Sequence, residues 1–357
     1  MTSSSGAGAA DWRRGRPPAS TDVARLAGVS QKTVSRVMNN EPHVSEDVRR
    51  RVLDVAVELG YRRNSAARAL ISGRTRRVGV VTLGTALFGP ATVLVAFERA
   101  ARRHGYALSL ATSFEGDPEG ITGAVHELLE QGVDGIVLSE PIDEGPVDLD
   151  VSVPVLVVGD YAGLTSPDVL RTSVAGHRPA SAVTEYLLSL GHPTVHHVAG
   201  PQRWFSARDR ERGWRGALEQ AGVEVAAHLE GDWTAASGYE AGKVLAEEPG
   251  VTAVFAANDD MAIGAIRALT ELDRPVPEAI SVVGYDDIPI SGYCNPPLTT
   301  VSQEFQSVAE SGITALIHRI EHPDEQAPVV EEPPVRIVVR ASSGPPPRDD
   351  RPVVAAG

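Results

Sequence analysis

The sequence predicts an α/β protein in which a small all-helical head precedes a body of two parallel-sheet subdomains flanked by helices. Two amphipathic helical segments with a glycine between them lie near the start, at residues 22–39. From residue 78 onward, short β-branched runs alternate with amphipathic helical segments. Such alternation indicates parallel sheets with helices on both faces, and it continues too long for one ordinary sheet.

The segment DVARLAGVSQKTVSRVMN, residues 22–39, predicts a helix-turn-helix unit. Gly28 allows the chain to bend sharply between the helices, and Ser30 is placed to cap the second one. The outward polar side chains of the second helix are of kinds that contact base edges and phosphates in a DNA major groove. An ordinary helical hairpin with a solvated face is the alternative. The inward apolar residues are Val23, Leu26, Ala27, Val34, Val37 and Met38, and the outward polar residues are Gln31, Lys32, Thr33, Ser35, Arg36 and Asn39.

Charge is distributed unevenly along the chain. Residues 1–77 hold 15 Lys and Arg against 7 Asp and Glu, net +8, whereas the remaining residues hold 18 against 40, net −22. A basic head suits a polyanion, while an acidic body favours solubility and disfavours non-specific contact with DNA. Because the basic part coincides with the two-helix motif, the charge supports DNA binding.

A third head helix is predicted to begin after Ser45 and to end at Gly60. The short Ala-rich segment 64–73 follows, and it is marginal as an isolated helix in water. Either a partner orders this segment or it is a plain linker. The apolar face of the third helix is assigned to Val48, Val52, Leu53, Val55 and Leu59.

Both ends of the chain are predicted to be disordered. Residues 1–19 are small, polar and basic, and Arg14 and Arg16 could enter a narrow A·T minor groove, with a solvated flexible arm as the alternative. Residues 341–357 are rich in Pro, Gly and charge. They carry no heptad pattern, so they offer no coiled coil for assembly beyond a dimer.

Seven runs in the body predict buried parallel strands, with amphipathic helices between them. Ligands bind at the carboxyl ends of such strands, and two facing subdomains would place those ends around one cleft. The strands are predicted at 78–82, 107–111, 135–139, 155–159, 195–199, 253–257 and 280–284, and the helices near 91–104, 119–131, 178–190, 207–221, 236–247 and 259–271.

Composition and motifs argue against several classes of protein. The single cysteine, Cys294, rules out an internal disulfide and fits a reducing cytosol. No run of about 18 apolar residues and no secretory signal are present, so we expect a cytoplasmic protein without a membrane span. No GxGxxG follows the first strand and no nucleophile–base set stands out, while His196 and His197 alternate on a strand and so do not share a metal. We expect no enzyme, no cofactor and no metal.

Motifs in order across residues 20–345 resemble those of the LacI/GalR family of bacterial transcription regulators. They are DVARLAGVSxxTVSRVxN, GYRRNSAARAL, SARDRERGW, GDWTAASGY, ANDDMAIGAIRAL, SVVGYDDI and PPLTTVSQEF. The resemblance implies a helix-turn-helix head, a hinge helix and a periplasmic-binding-protein-like body. The implied bounds are 20–63 for the head, 64–75 for the hinge and 76–340 for the body, with an N-subdomain of about 76–160 and 304–333 and a C-subdomain of about 175–301 and 336–340.

The resemblance also implies which residues contact DNA. Asn64 matches the start of the hinge helix, and Leu70 matches a leucine that two protomers wedge into the central minor-groove step, where an apolar side chain kinks the duplex. The implied partners are palindromic double-stranded DNA, a second copy of the chain and a small carbohydrate. The implied DNA contacts are Gln31, Lys32, Thr33, Ser35, Arg36, Asn39, His43, Asn64 and Leu70.

A further set of residues matches effector-pocket positions of the family. Charged and amide side chains among them suit sugar hydroxyls, and aromatic side chains suit the C–H face of a pyranose. Two departures are visible: Leu83 stands where a relative has a polar pocket residue, and residues 174–177 lack the acidic or amide groups of many relatives. The implied effector contacts are Leu87, Gly89, Pro90, Ile142, Asp143, Ser206, Arg210, Trp233, Asn258, Asp286, Gln303 and Phe305.

We therefore interpret the chain as a transcriptional regulator, and specifically as a repressor. A sugar or glycoside bound between the two body subdomains controls its operator binding. The alternative is a sugar-binding protein or sugar-processing enzyme that shares the α/β body. The basic helical head and the lack of a secretory signal favour the regulator.

Overall fold

The computed structural model describes residues 17–62, 69, 73–113, 120–139, 142–143, 151–159, 169–172, 177–330 and 334–347. The chain divides into two compact units, Met1–Thr75 and Arg76–Gly357, which we call the head and the body. No helix within the described ranges is long and apolar enough to cross a bilayer. The predicted hinge residues Asn64 and Leu70 lie outside these ranges, as do residues 1–16 of the predicted arm.

The described part of the head contains α1 (Ser20–Ala27), α2 (Gln31–Met38) and α3 (Glu46–Leu59). Gly28 and Gly60 follow α1 and α3 with φ of 64°, a conformation that glycine adopts without strain. At the start of α2, Oγ of Ser30 accepts a hydrogen bond from the backbone N–H of Thr33 at 3.1 Å. The helix-turn-helix fold of the head is thus confirmed.

The core of the head differs from the sequence prediction at two leucines. Leu26 and Leu53, which the pattern assigned to inward faces, are 45% and 43% exposed. Ala24 and Ala56 are buried instead. Small side chains fill the lines along which these short helices pack, so the longer leucine side chains project past the contact.

The first half of the body is a five-stranded parallel sheet in the order β2–β1–β3–β4–β5. Helices α4 and α10 pack on one face and α5 on the other. These elements are β1 (Arg77–Leu83), α4 (Phe88–Arg103), β2 (Ala107–Ser113), α5 (Gly120–Glu130), β3 (Gly135–Ser139), β4 (Val155–Val158), β5 (Val169–Thr172) and α10 (Phe305–Glu321).

The second half is a six-stranded sheet in the order β11–β10–β9–β8–β6–β7, parallel except for the β10–β11 pair. Helices α6 and α7 pack on one face, and α8 and α9 on the other. These elements are α6 (His177–Ser189), β6 (His196–Ala199), α7 (Phe205–Ala221), β7 (Leu229–Glu230), α8 (Ala235–Glu247), β8 (Ala253–Ala256), α9 (Asp259–Glu271), β9 (Ser281–Asp286), β10 (Thr299–Ser302) and β11 (Arg336–Val338).

The predicted α/β architecture of the body is confirmed, and each of the seven predicted strands and six predicted helices is present. The pattern did not identify β5, β7, β10, β11 or α10. The missed strands have two to four residues and carry polar side chains, so a search for apolar runs does not find them: β5 reads VLRT, β10 reads TTVS and β11 reads RIV.

The interior of the second half contains a histidine. His197 on β6 lies against the rings of Trp214 and Phe255, with ring centroids 5.1 and 4.7 Å away. Its Nδ1 atom is 2.8 Å from the carbonyl oxygen of Phe255. Burial lowers the pKa of His197 to about 3, so this histidine is neutral within the core.

The prediction of a disordered tail from residue 341 is wrong for its first residues. Ser342 is completely buried, and its backbone oxygen accepts a hydrogen bond from the N–H of Val282 at 2.8 Å. The Ser342 hydroxyl donates to the carbonyl oxygen of Val282 at 2.6 Å. Residues 341–344 thus continue the contacts of the second sheet, which polar composition alone did not indicate. Residues 348–357 lie outside the described ranges.

Candidate ligand cleft and nucleic-acid interface

A cleft of about 850 Å³, part of it open to solvent, lies between the two halves of the body. It is lined at the carboxyl ends of strands from both sheets: Ser139 ends β3, Val158 ends β4 and Asp286 ends β9. Parallel α/β sheets bind ligands at this edge because loops and helix starts converge there. Its volume lies within the range of small-molecule sites.

The wall formed by the second half is polar. Arg210, on α7, points its guanidinium at Asp286, with Nη2 3.4 Å from Oδ1. Arg210 Nη1 also donates to the carbonyl oxygen of Ala257, and Gln303 Nε2 donates to Asp286 Oδ1. Burial raises the pKa of Asp286 to about 6, and the neighbouring Arg210 cation opposes that rise.

Asn258 and Trp233 are held together beside this pair. The Asn258 side chain caps α9 by accepting from the N–H of Met261 at 2.9 Å and donates to the carbonyl oxygen of Trp233, also at 2.9 Å. Trp233 has a positive φ of 71°, so the Asn258 contact fixes a strained backbone. The Trp233 ring packs edge-on against Trp204, with centroids 5.5 Å apart. Its buried Nε1 has no hydrogen-bond partner among the described residues and is free to donate to a ligand.

The wall formed by the first half is apolar. Phe88 and Phe305 contact each other edge-to-face with ring centroids 6.1 Å apart. A ligand here therefore meets hydrogen-bonding groups on one side and a hydrocarbon surface on the other. The apolar lining of this wall comprises Leu87, Phe88, Pro90, Val93, Val158 and Phe305.

Asp259 lies behind the cleft and organises the turn that carries Asp286. Its carboxylate accepts from the N–H of Ile288 at 2.9 Å and is 2.6 Å from the hydroxyls of Ser291 and Thr300. Burial and the nearby charge of Asp286 raise the pKa of Asp259 to about 7. The turn needs such support because Asp286 and Asp287 both have positive φ, 112° and 54°.

Ten of the twelve residues assigned to an effector site line this cleft: Leu87, Gly89, Pro90, Ser206, Arg210, Trp233, Asn258, Asp286, Gln303 and Phe305. Ile142 and Asp143 do not line it. At the rim, Ile142 pairs with Trp204, and Asp143 contacts Arg203 and Arg208. Leu83 is also outside the lining, and residues 174–176 fall in an undescribed stretch. Eight further lining residues were not predicted, and several of them neighbour assigned residues or end strands: Phe88, Val93, Ser139, Val158, Gly159, Trp204, Phe205 and Asp209.

The head presents the outward residues of α2 to solvent. Lys32, Ser35 and Arg36 are exposed, and Arg36 Nε lies 3.8 Å from Glu41 Oε2. The remaining predicted contacts are partly engaged within the head: Gln31 Nε2 donates to Ser20 Oγ at 2.8 Å, Thr33 joins the Ser30 cap and Asn39 donates to Glu41 at 3.2 Å. His43 is exposed with a positive φ of 70°. This surface offers donors of both charged and neutral kinds to a nucleic acid.

Two family models match the chain. Residues 21–64 match bacterial regulatory proteins of the lacI family, and residues 184–343 match the periplasmic binding protein-like domain. The lactose operon repressor of Escherichia coli K12 is 34% identical over 304 residues, which cover 85% of this chain and 84% of the relative. An HTH-type transcriptional repressor PurR of Mannheimia succiniciproducens is 34% identical over 330 residues, covering 90% of this chain and 97% of the relative.

Solved structures agree with these matches. A lac repressor dimer bound to operator and the anti-inducer ONPF superposes with a TM-score of 0.76 at 33% identity, covering 92% of this chain and all of that one. The transcriptional regulator CelR in complex with cellobiose superposes with a TM-score of 0.66 at 31% identity, covering 91% of this chain and all of that one.

Proposed function

Because the chain belongs to the lacI family of bacterial regulatory proteins, it is a DNA-binding transcriptional repressor controlled by a ligand, and we propose that this ligand is a carbohydrate held in the cleft of the body. One observation carries the proposal: the cleft sets the Arg210–Asp286 pair against apolar and aromatic side chains. A sugar ring is hydroxylated at its edge and apolar on its C–H faces, so it satisfies both walls.

The chemistry of the polar wall supports a hydroxylated, uncharged ligand. Arg210 and Asp286 already neutralise each other, and Asp209, the other charged lining residue, pairs with Arg212 at 3.2 Å. A charged ligand would therefore leave one charge unbalanced in a buried site. Hydroxyl groups both donate and accept, which lets them bridge Arg210, Asp286 and Asn258 without adding charge. CelR with cellobiose and the lac repressor with ONPF are structural relatives whose ligands fit this interpretation.

We propose that Arg36 and Lys32 read base edges and that Ser35, Thr33 and the other exposed groups of α2 contact phosphates. A dimer presents two such helices, so the operator is a palindrome whose half-sites are read by symmetric heads. The family resemblance assigns Asn64 and Leu70 to a hinge that contacts the centre of the operator.

We propose that ligand binding in the cleft is coupled to operator binding through the relative placement of the two halves of the body. A ligand shifts that equilibrium only by its differential affinity for the two arrangements. We propose that the sugar favours the arrangement with low operator affinity, so that it acts as an inducer. We further propose that the chain works in the cytoplasm and catalyses no reaction, as its relatives are named repressors.

The proposal is tested with the purified full-length protein. A thermal-shift screen would include monosaccharides, β- and α-linked disaccharides and, as a non-sugar arm, adenine and guanine. We expect one sugar to raise the melting temperature and to release the DNA upstream of the protein's own gene in a band-shift assay. Stabilisation by a purine base and by no sugar would overturn the assignment of a carbohydrate.

A further inference from the structure

One rim of the cleft is bridged by polar contacts between the two halves of the body. Arg208, on α7 of the second half, places Nη2 2.9 Å from Oδ2 of Asp143, which follows β3 of the first half. The backbone N–H of Asp143 donates to the carbonyl oxygen of Arg203 at 2.8 Å. Ile142 and Trp204 form an antiparallel bridge beside this contact. We call the residues that make these contacts the rim latch: Ile142, Asp143, Arg203, Trp204 and Arg208.

The rim latch continues into the aromatic residues of the cleft. The Arg208 guanidinium carbon lies 5.0 Å from the ring centroid of Phe205, within the range of a cation–π contact. Phe205 belongs to the second half, yet its side chain packs against the apolar core under β3 and β4 of the first half. Trp204, whose backbone pairs with Ile142, packs its ring against Trp233 in the cleft. The start of α7 is therefore held by the core of the first half on one side and by Trp233 of the cleft on the other.

The first two turns of α7 carry the groups that face the ligand. Ser206 and Arg210 line the cleft; Ser206 is two residues from both Trp204 and Arg208, and Arg210 is two residues beyond Arg208. Opening the rim would draw Phe205 out of the first-half core and move Arg210 relative to Phe305 and Phe88 on the opposite wall. The affinity of the cleft for a ligand that contacts both walls thus depends on whether the rim is closed.

We propose that Arg208 and Asp143 are positioning residues for effector binding, which act by holding α7 across the cleft rather than by touching the effector. The inference rests on the proposed function of the cleft. Neither residue lines the cleft, and both are about a third exposed. A partly exposed ion pair is screened by salt, so the affinity for an uncharged sugar should fall as ionic strength rises.

The experiment compares charge variants by isothermal titration with the sugar that stabilises the wild-type protein most. We expect Arg208→Gln and Asp143→Arg each to weaken binding about 3- to 10-fold, while Asp143→Arg/Arg208→Asp recovers to within about 2-fold of wild type. Arg215→Gln is the matched control, because Arg215 lies on the same helix and pairs with Glu211, one turn away, at 2.8 Å. The affinity of the wild-type protein for the sugar should fall as NaCl is raised from 50 to 500 mM. In Arg208→Gln the affinity should not depend on NaCl over this range.

Hydrogen exchange at the Asp143 amide provides a readout that needs no ligand. Exchange should be faster in Arg208→Gln and return toward the wild-type rate in the charge-swapped pair. An unchanged rate, or a swapped pair that binds no better than the single variants, would overturn the role of the latch. If no sugar binds wild-type protein, the proposed function fails, and the exchange rates still decide whether Arg208 holds the rim closed.

Discussion

Arg210 and Asp286 form an almost fully buried ion pair on the wall of the cleft, with side chains 6% and 9% exposed. Each charge is compensated by the other and by further polar groups, the carbonyl oxygen of Ala257 and the amide of Gln303. Removing one member leaves a buried charge without its partner, which is far costlier than losing a surface pair. The pair thus belongs to the proposed ligand site and also contributes to the stability of the cleft wall.

Arg210→Ala should abolish the response to the effector. The ligand loses its donor, and Asp286 is left to bind a proton or distort the wall. We expect the free energy of unfolding of the body to fall by about 3–5 kcal/mol, from the cost of breaking a buried pair. Operator affinity without effector should stay within about 3-fold, because the substitution lies in the body, outside the head. The measurements are urea unfolding and band shifts with and without sugar; a normal sugar response in this variant would show that the site is assigned wrongly.

Arg36→Ala should weaken binding to the specific operator by about 1–3 kcal/mol, the range for one good base contact. Arg36 is exposed on α2, and its ion pair with Glu41 is an exposed contact that is easily given up on DNA. Fluorescence anisotropy with operator and with scrambled DNA of equal length distinguishes base contacts from phosphate contacts. Equal losses on both DNAs would mean that Arg36 touches only phosphate.

Asp259→Asn should change how stability depends on pH. The folded-state pKa of Asp259 is raised to about 7 from 3.8, so the folded protein holds a proton there that the unfolded chain releases above pH 4. This group therefore contributes stability at low pH that is lost as pH rises through about 7. His197 acts oppositely, since its lowered pKa of about 3 costs stability as pH falls below 6.5.

Between about pH 4 and 6.5 the effects of Asp259 and His197 oppose each other in wild type. The Asp259→Asn variant loses the Asp259 effect and keeps those of His197 and of Asp286, whose pKa is also raised. The stability of the variant relative to wild type should rise with pH across this range, by an amount on the order of a few kcal/mol. Urea midpoints measured at half-unit intervals from pH 4.5 to 7.5 test this. Parallel curves for the two proteins would contradict it.

Exposed apolar side chains on the body predict where the dimer forms. Ile290 and Tyr293 are 53% and 86% exposed, and Ile290 lines a groove together with Val95 and Phe88. We expect Ile290→Asp to raise the dimer dissociation constant at least 10-fold, because a charge would replace apolar contact. Sedimentation velocity across a dilution series measures this, with Val329→Asp, also highly exposed on the body, as the control. A stable wild-type tetramer would contradict the expectation of dimers.

The sequence predicted the strands and helices, whose residue patterns repeat along the chain. It did not predict the placement of side chains that depends on contacts between distant segments. Apolar runs located β1, β3 and β9, because a strand that is buried on both faces is rich in β-branched and other apolar residues. Asp143 was assigned to the cleft by family position, but its carboxylate pairs with Arg208, outside the cleft lining. Trp204 had no periodic signal, because it precedes α7 and owes its place in the cleft to the Ile142 bridge and the Trp233 ring.

Lysine is scarce in this chain, so the reactivity of one lysine side chain can report on the head. The sequence contains two lysines, Lys32 on the outward face of α2 and Lys243 on α8 of the body, where it pairs with Glu240 at 2.5 Å. An amine-selective reagent followed by mass spectrometry therefore gives one lysine side-chain signal from α2, the proposed DNA-contacting helix, and one internal reference from the body. Protection of Lys32 relative to Lys243 would measure operator occupancy on the unmodified protein, without any engineered label, while effectors are added.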